Sequence, residues 1–456
     1  MRLKVLNIVD VAETQACCGC GACAYVAPDA IEMADVFEHG RRPVARPGAS
    51  AEVLADALRV CPGIELSHAE RPPDGVVPEL LPAWGPVLEV WEGYATDSQI
   101  RFAGSSGGAA TALSLYCIEQ GDMHGLLHIA GRPDVPYLNH TILSTRREQV
   151  LAATGSRYAP ASPCDGLQQV EDAPALCVFV GKPCDVAATA KARAMRPALD
   201  AKLGLTIAVF CAGTPSTRGT FEMFKKMGVD DPTSVINVRY RGNGWPGLAT
   251  VTYRTPDGGE ATRELTYQQS WGDVLQKHRQ WRCYVCADHT GEFADIAVGD
   301  PWYREIPPGE PGRSLIVVRT ERGRRILRAA LDAGYVTAER VETKLLPASQ
   351  PNLLQTRGSV WGRLMALRLM GAVAPRFRRL PMFHLWWHLT AAQKAQSIYG
   401  TVKRVFRKKL RQRVRIEPFV PAAAGSTAAC GPDGVARPGP RSELVATVVA
   451  SAEFRS

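Results

Sequence analysis

Three cysteines spaced two residues apart, Cys17, Cys20 and Cys23, constrain this 456-residue chain more than any other feature. Such a run wraps the backbone around one compact centre, and Gly19 and Gly21 beside the second cysteine let amides come close to it. It is the opening of the pattern that holds one cuboidal iron–sulfur cluster. That pattern continues to a cysteine before a proline, but here the position reads Ala27-Pro28. Cys61, which precedes Pro62 and follows a helix-like stretch from Ala51 to Val60, is the expected fourth ligand, with Cys18 as the alternative. Four thiolates also suit zinc, but zinc sites come as two separated Cys-x2-Cys knuckles, so the spacing favours a [4Fe–4S] cluster. No second complete run is present, and the module is expected to hold one cluster.

Thirteen cysteines behind an N-terminus without a signal-peptide layout point to thiolate chemistry rather than disulfides, and to the cytoplasm. Hydrophobic residues make up 46% of the chain and charged ones 22%, the balance of a soluble globular protein. No apolar run reaches the roughly 18 residues that span a bilayer. The formal charge is +9, yet the window from Arg363 to Arg415 alone holds 14 Lys and Arg and no Asp or Glu, which leaves the remainder at −5. A mildly acidic body argues against a broad nucleic-acid-binding face.

Residues 1–66, rich in Cys, Pro and Gly, read as a ferredoxin-like iron–sulfur module. Residues 67–86, with Pro72, Pro73, Pro78, Pro82 and Pro86, read as an extended linker. Over 87–346 strand and helix patterns alternate, which predicts an α+β fold with an α/β-like catalytic domain. The expected elements include a helix over Gly108–Gln120, buried strands at Leu176–Val180 and Leu205–Phe210, and a hairpin-like region from Val235 to Tyr253. Residues 347–415 read as a basic, amphipathic, C-terminal helical extension, and 416–456 as a disordered tail.

A second group of cysteines is dispersed: Cys184, Cys211 and the pair Cys283 and Cys286. Each lies where a strand ends or a turn begins, so they can converge at one sheet edge. By spacing alone they are a redox pair, half a zinc site or cluster ligands. Cys117, Cys164, Cys177 and Cys430 have no such company, and Cys117 and Cys177 lie on apolar, core-like stretches.

Taken in order, Pro183-Cys184, Phe210-Cys211, Cys283-x2-Cys286, Glu292–Ile296 and Gly299-Asp-Pro-Trp302 resemble the family of the coenzyme F420-reducing hydrogenase beta subunit. The resemblance spans about 15–345 and implies that Cys184, Cys211, Cys283 and Cys286 hold a [4Fe–4S] cluster beside a flavin. It also implies that Ser105, Ser106, Gly107 and Gly108, with the helix that follows, and Gly155, Ser156, Arg157 and Tyr158 contact that flavin. A serine- and glycine-rich helix start suits a pyrophosphate, although such a segment is also an ordinary helix cap. Arg157 and Lys182 are candidate cations for phosphate or reduced flavin, and Tyr158 is either a stacking partner or a core residue. Arg241–Pro246 reads as a turn, with a substrate- or flavin-facing loop as the alternative.

In the C-terminal extension Phe383, Leu385, Trp386, Trp387 and Leu389, then Ile398, Val402, Val405, Phe406 and Leu410, are interleaved with Lys and Arg. Residues 383–415 suit an anionic membrane surface or an acidic partner, and equally a helix packed on the body. His384 and His388 read as packing or interfacial residues. The whole reading is a flavin-dependent iron–sulfur oxidoreductase with two [4Fe–4S] clusters and FAD. A one-electron donor such as ferredoxin stands at one end, and a small-molecule hydride substrate, coenzyme F420 or NAD(P)H at the other. The alternatives are a non-catalytic electron-transfer subunit of a larger complex and a structural zinc protein.

Overall fold

A computed structural model describes residues 3–421. In the N-terminal segment, strands β1 (Ile31–Val36) and β2 (Gly40–Ala45) form an antiparallel hairpin, and β3 (Glu65–Ser67) follows. Next come β4 (Glu89–Ala95), β5 (Gly125–Gly131), β6 (Asn139–Ser144), β7 (Cys177–Gly181) and β8 (Leu203–Val209). A small antiparallel sheet contains β9 (Val235–Arg239), β10 (Ala249–Arg254) and β11 (Glu260–Leu265). The chain then returns through β12 (Ile296–Gly299), β13 (Ser314–Val318) and β14 (Val336–Arg340), and β15 (Arg376–Arg378) pairs in parallel with β3.

Eight of these strands make one mixed sheet in the order β14-β4-β13-β12-β8-β7-β5-β6. Its centre, β12-β8-β7-β5, is parallel throughout, and the strands on either side run antiparallel. The central segments Cys-Val-Phe-Val-Gly, Leu-Gly-Leu-Thr-Ile-Ala-Val and Ile-Ala-Val-Gly are almost wholly apolar because both faces are covered. On one face, helices Ala109–Glu119 and Glu321–Asp332 bury Leu113, Leu115 and Leu327 against Val178, Leu205, Ile296 and Ile316. On the other, helix Pro183–Met195 and the N-terminal segment bury Val186, Ala188, Val11 and Tyr25 with Phe179 and Ala208. The mixed α/β architecture is the one expected, with observed boundaries within a few residues of those read from the pattern.

The N-terminal segment shares this core instead of standing apart. A Cβ on Gly21 would lie 2.8 Å from the Asp165 backbone nitrogen. The Gly19 carbonyl accepts from Ser162 Oγ at 2.7 Å. The proline-rich stretch read as an extended linker contains a helical turn, Leu81–Trp84, whose Trp84 is buried. Buried Arg319 holds that turn by donating to the carbonyls of Trp84 and Pro86, each at 2.8 Å.

The C-terminal helices Val360–Leu369, Met382–Trp387 and Ala391–Arg407 pack on the body through Val360, Leu364, Met382, Val405 and Leu410, beside Trp281 and Val285. The chain then crosses the N-terminal segment. Arg413 pairs with Asp10 and Glu13, and the Phe419 amide donates to the Asp35 carbonyl at 2.6 Å. Buried Phe419 stacks near Phe37, so residues 416–421 of the expected tail are ordered against the body. Residues 422–456, including Cys430, lie outside the described residues. Among the described residues no helix is long and apolar enough to cross a membrane.

Candidate functional site

In an open sheet the crevice forms beyond the carboxyl ends of the parallel strands. Here β7 ends into Lys182, β8 into Phe210-Cys211 and β12 into Asp300, and the three ends line one cleft of about 320 Å³. That volume lies at the small end of the range for ligand pockets. Gly104, Ser105, Ser106 and Gly108–Thr111, at the start of helix Ala109–Glu119, also line the cleft, as do residues Thr154–Tyr158. No side chain caps the helix start, where Gly108 takes the left-handed conformation at φ 72°, so its first amides are left without a side-chain partner beside the cleft. The fit to a flavin's pyrophosphate rests on this uncapped end.

Of the residues proposed for flavin contact, Ser105, Ser106, Gly108, Gly155, Ser156, Arg157, Tyr158 and Lys182 all line this cleft. Gly107 does not: its φ is 73°, and a Cβ there would lie 2.8 Å from Arg313 Cα. Gly108 is likewise required by packing, since a Cβ would meet the Ile100 carbonyl at 2.6 Å. The two serines knit the loop together. Ser105 Oγ accepts from the Ser156 amide at 2.7 Å, and Ser106 Oγ donates to the Arg313 carbonyl at 2.9 Å.

Arg157 is not free for a phosphate. Its guanidinium donates to Asn139 Oδ1, to the Pro136 carbonyl at 2.6 Å and to the Val238 carbonyl at 3.2 Å, and burial lowers its pKa. Lys182 is better placed. Burial alone would lower its pKa, but Asp185 at 2.6 Å and the nearby thiols of Cys184 and Cys211 raise it overall. A cation therefore persists at the cleft edge beside the cysteines.

The sequence reading missed an aromatic end wall. Trp245 and Trp302 stack at 5.4 Å and Tyr267 continues the stack at 5.6 Å, while Tyr158 leans on Trp271 at 5.0 Å. Arg241 and Asp300 also line the cleft and make a bidentate pair at 2.6 and 2.9 Å, and Trp245 Nε1, outside the lining, donates to the same carboxylate at 2.7 Å. Arg241 opens the stretch read as a turn, with a substrate- or flavin-facing loop as the alternative, and the sequence also marks Tyr158 as a stacking candidate; Arg241 and Tyr158 both line the cleft.

The cysteines fall into two neighbouring sets. Cys17, Cys20, Cys23 and Cys61 are all buried. Cys17, Cys23 and Cys61 lie within one another's electrostatic reach, and burial pushes the Cys61 thiol up to about 12. Cys61 comes beside the run because Gly63 lacks a side chain; a Cβ there would meet the Ala16 carbonyl at 2.6 Å. The Gly19 amide donates to Cys17 Sγ at 3.3 Å. Cys20 turns towards Cys164 and Cys18, so Cys164 has company that the sequence did not reveal.

In the second set Cys211, Cys283 and Cys286 are mutual neighbours, and burial raises Cys211 to about 12 and Cys286 to about 11. The Thr214 amide donates to Cys283 Sγ at 3.3 Å. Cys184, in the first turn of helix Pro183–Met195, neighbours Cys18. That contact holds Cys18 down and Cys184 up, and it joins the two sets. Cys18 thus points towards the second set, not away from the site. Among the described residues no three Cys, His, Asp or Glu groups are gathered as a single metal ion would need.

Between the sets sits Arg282, only 5% exposed. It donates to the carbonyls of Pro62 at 3.0 Å and Gly63 at 3.1 Å, next to Cys61, and of Val285 at 3.1 Å, next to Cys286. Its charge draws down the thiols of Cys17, Cys18 and Cys286 against their burial. Buried thiols with amide donors and a buried cation suit an anionic thiolate-bound centre, because ligation requires thiolates and burial alone disfavours them.

Known proteins share much of this sequence. Residues 90–168 match the family model for the N-terminal part of the coenzyme F420 hydrogenase/dehydrogenase beta subunit, and residues 176–344 match the model for its C-terminal part. The coenzyme F420 hydrogenase subunit beta of Methanosarcina barkeri is 27% identical over 267 residues, 57% of this chain and 82% of the relative. The F420-dependent formate dehydrogenase 1 subunit beta of Methanococcus maripaludis is 26% identical over 281 residues, 61% of this chain and 66% of the relative. A chain in the structure of the F420-reducing [NiFe] hydrogenase complex from Methanosarcina barkeri is 23% identical. It matches 62% of this chain and 94% of its own length with a TM-score of 0.48. The two family models together cover more than half of the sequence, and the chain belongs to the coenzyme F420 hydrogenase/dehydrogenase beta-subunit family.

Proposed function

We propose that the protein is an oxidoreductase that passes electrons between a one-electron donor such as ferredoxin, two [4Fe–4S] clusters, FAD and a hydride substrate. The observation that carries this reading is the position of Cys211, which belongs to the second cysteine set and also lines the cleft. In this reading Cys17, Cys20, Cys23 and Cys61 of a ferredoxin-like module, residues 1–66, hold one cluster. Cys184, Cys211, Cys283 and Cys286 of the catalytic domain, residues 87–346, hold the other. A flavin in the cleft supplies the conversion between single electrons and a hydride, which cysteine-bound centres alone do not make.

The protein's own groups do the rest. Amides at the start of helix Ala109–Glu119 would hold the pyrophosphate, and Trp302 and Tyr267, with Trp245 stacked on Trp302 outside the lining, would orient a flat ring and exclude water. Lys182 would hold a positive charge beside a bound flavin and so favour its reduced, anionic form. The hydride partner is coenzyme F420, NAD(P)H or an unsaturated small molecule, with flow in either direction. The cytoplasm is the compartment in which such thiolate sites persist.

A second reading, an electron-transfer subunit of a larger complex, draws on the relatives, which are named as subunits of hydrogenase and formate dehydrogenase. Mixing the anaerobic, full-length protein with reduced ferredoxin separates the two. Bleaching of bound flavin followed by turnover of a hydride acceptor is the result expected of the enzyme. Flavin that stays oxidised until another protein is added would establish the subunit.

A further inference from the structure

The basic residues of the C-terminal region divide by direction. Arg378, Arg379 and Arg413 pair with Glu65, Glu70 and the acids Asp10 and Glu13 of the N-terminal segment. Lys394, Lys403, Arg407, Lys409 and Arg411 have no carboxylate at ion-pair distance among the described residues. Charge used for docking the extension on the acidic body is therefore separate from charge left facing outward.

The outward charge is interleaved with apolar rings. Phe383, Trp387, Tyr399 and Phe406 are 51%, 60%, 62% and 61% exposed. Along helix Ala391–Arg407 the inward positions are Ser397, Thr401 and Val405. Exposed Ala395, Tyr399, Lys403 and Phe406 follow one another at helical spacing on the opposite face. Lys394 Nζ lies 4.7 Å from the Trp387 ring centre and Lys403 Nζ 4.5 Å from that of Tyr399. Each of these two cations thus rests on an exposed ring, a pairing that suits residues at the headgroup level of a bilayer.

We propose that this outer face docks the protein on an anionic lipid surface. Cations interleaved with the exposed rings of Trp387, Tyr399 and Phe406 match the anionic headgroups and the apolar boundary beneath them in one bilayer surface. The attachment is peripheral, since among the described residues no helix is long and apolar enough to span a membrane. It places the cysteine sets and the cleft beside a membrane without any part of the redox site entering it.

The test is sedimentation of the full-length protein with phosphatidylcholine vesicles, with and without phosphatidylserine, at low salt. Binding is expected only with phosphatidylserine and is released as salt shortens the screening length. The triple reversal Lys403→Glu, Arg407→Glu and Arg411→Glu should weaken it by about 100-fold or more, at roughly fivefold for each cation removed. Trp387→Ala with Phe406→Ala should weaken it while charge is kept. All of these positions are exposed or half-exposed, so melting temperature and iron content should stay unchanged. No sedimentation at low salt, equal sedimentation with phosphatidylcholine alone, or indifference to the charge reversal would overturn the proposal. Capture by soluble polyglutamate without any vesicle binding would mark the face as one for acidic proteins and would overturn it too.

Discussion

Cys61 and Arg282 show how the redox site depends on single side chains. In the proposed reading Cys61 takes the ligand position that Ala27 leaves without a thiol; Gly63 lets it come against the run at Cys17. Cys61→Ala should lose about half of the iron and sulfide while flavin is retained, by the stoichiometry of two equal clusters. Full iron retention would transfer the role to Cys18, whose thiol lies between the two sets. Arg282 is a buried cation shared by both sets, and no spacing rule could have revealed it, because its partners are the carbonyls of Pro62, Gly63 and Val285. Arg282→Met should make both centres harder to reduce, by on the order of 60 mV for each tenfold change in the one-electron equilibrium. Redox titration followed by electron paramagnetic resonance reads this directly, and unchanged potentials would leave Arg282 a packing residue only. At this scale the local cysteine run was legible because its ligands are near in sequence. The link through Cys18, Cys164 and Cys184 was not, because it joins loops from three parts of the chain.

Secondary-structure elements divide into those that build the cleft and those that brace it. The helix start at Ala109 leaves amides without a side-chain partner beside the cleft, and half-buried Thr111 lines the cleft. Thr111→Trp should fill that space and strip FAD while iron content stays the same; unchanged flavin would make the segment an ordinary helix start. Gly107 and Gly108 are poorer probes, because a side chain there strikes the backbone of Arg313 or Ile100 before it reaches any ligand. The C-terminal helices brace the site through Leu364, Val405 and Leu410, packed beside Trp281 and Val285. Leu410→Ala should cost about 3 kcal/mol in chemical unfolding, whereas Phe406→Ala, on the outer face, should stay within about 0.5 kcal/mol. Truncation after Pro381 removes Met382, Val405 and Leu410 from that core, and should therefore destabilise the body as well as remove the outer face. Equal stability of the truncated chain would contradict this packing. The amphipathic pattern of the extension was readable in the sequence; its docking partner was not, since periodicity reports a buried face and not what buries it.

The molecule as a whole is held by a sheet whose buried central strands were legible from the apolar runs Leu176–Val180 and Leu205–Phe210, observed as Cys177–Gly181 and Leu203–Val209. The shared core of the N-terminal segment and the sheet was hidden, because the Cys- and Gly-rich stretch carries no strong periodicity of its own. One consequence is global acid sensitivity. Burial lowers the pKa of His39, His68 and His128 to about 4, whereas in the unfolded chain each titrates near its ordinary value of about 6.5. The unfolded state then binds more protons between these values, so the stability is complete above about pH 6.5 and is lost as pH falls towards 4. Thermal melts should shift down by several degrees between pH 7 and pH 5 at constant ionic strength, and a flat profile would contradict the neutral buried state. The central claim is that this fold joins two cysteine-bound centres to a flavin cleft. Its most direct test is the iron, sulfide, zinc and flavin content of full-length protein purified without oxygen. About eight iron and eight sulfide with one FAD per chain are expected. Zinc in place of iron, or full iron with no flavin, would contradict the claim.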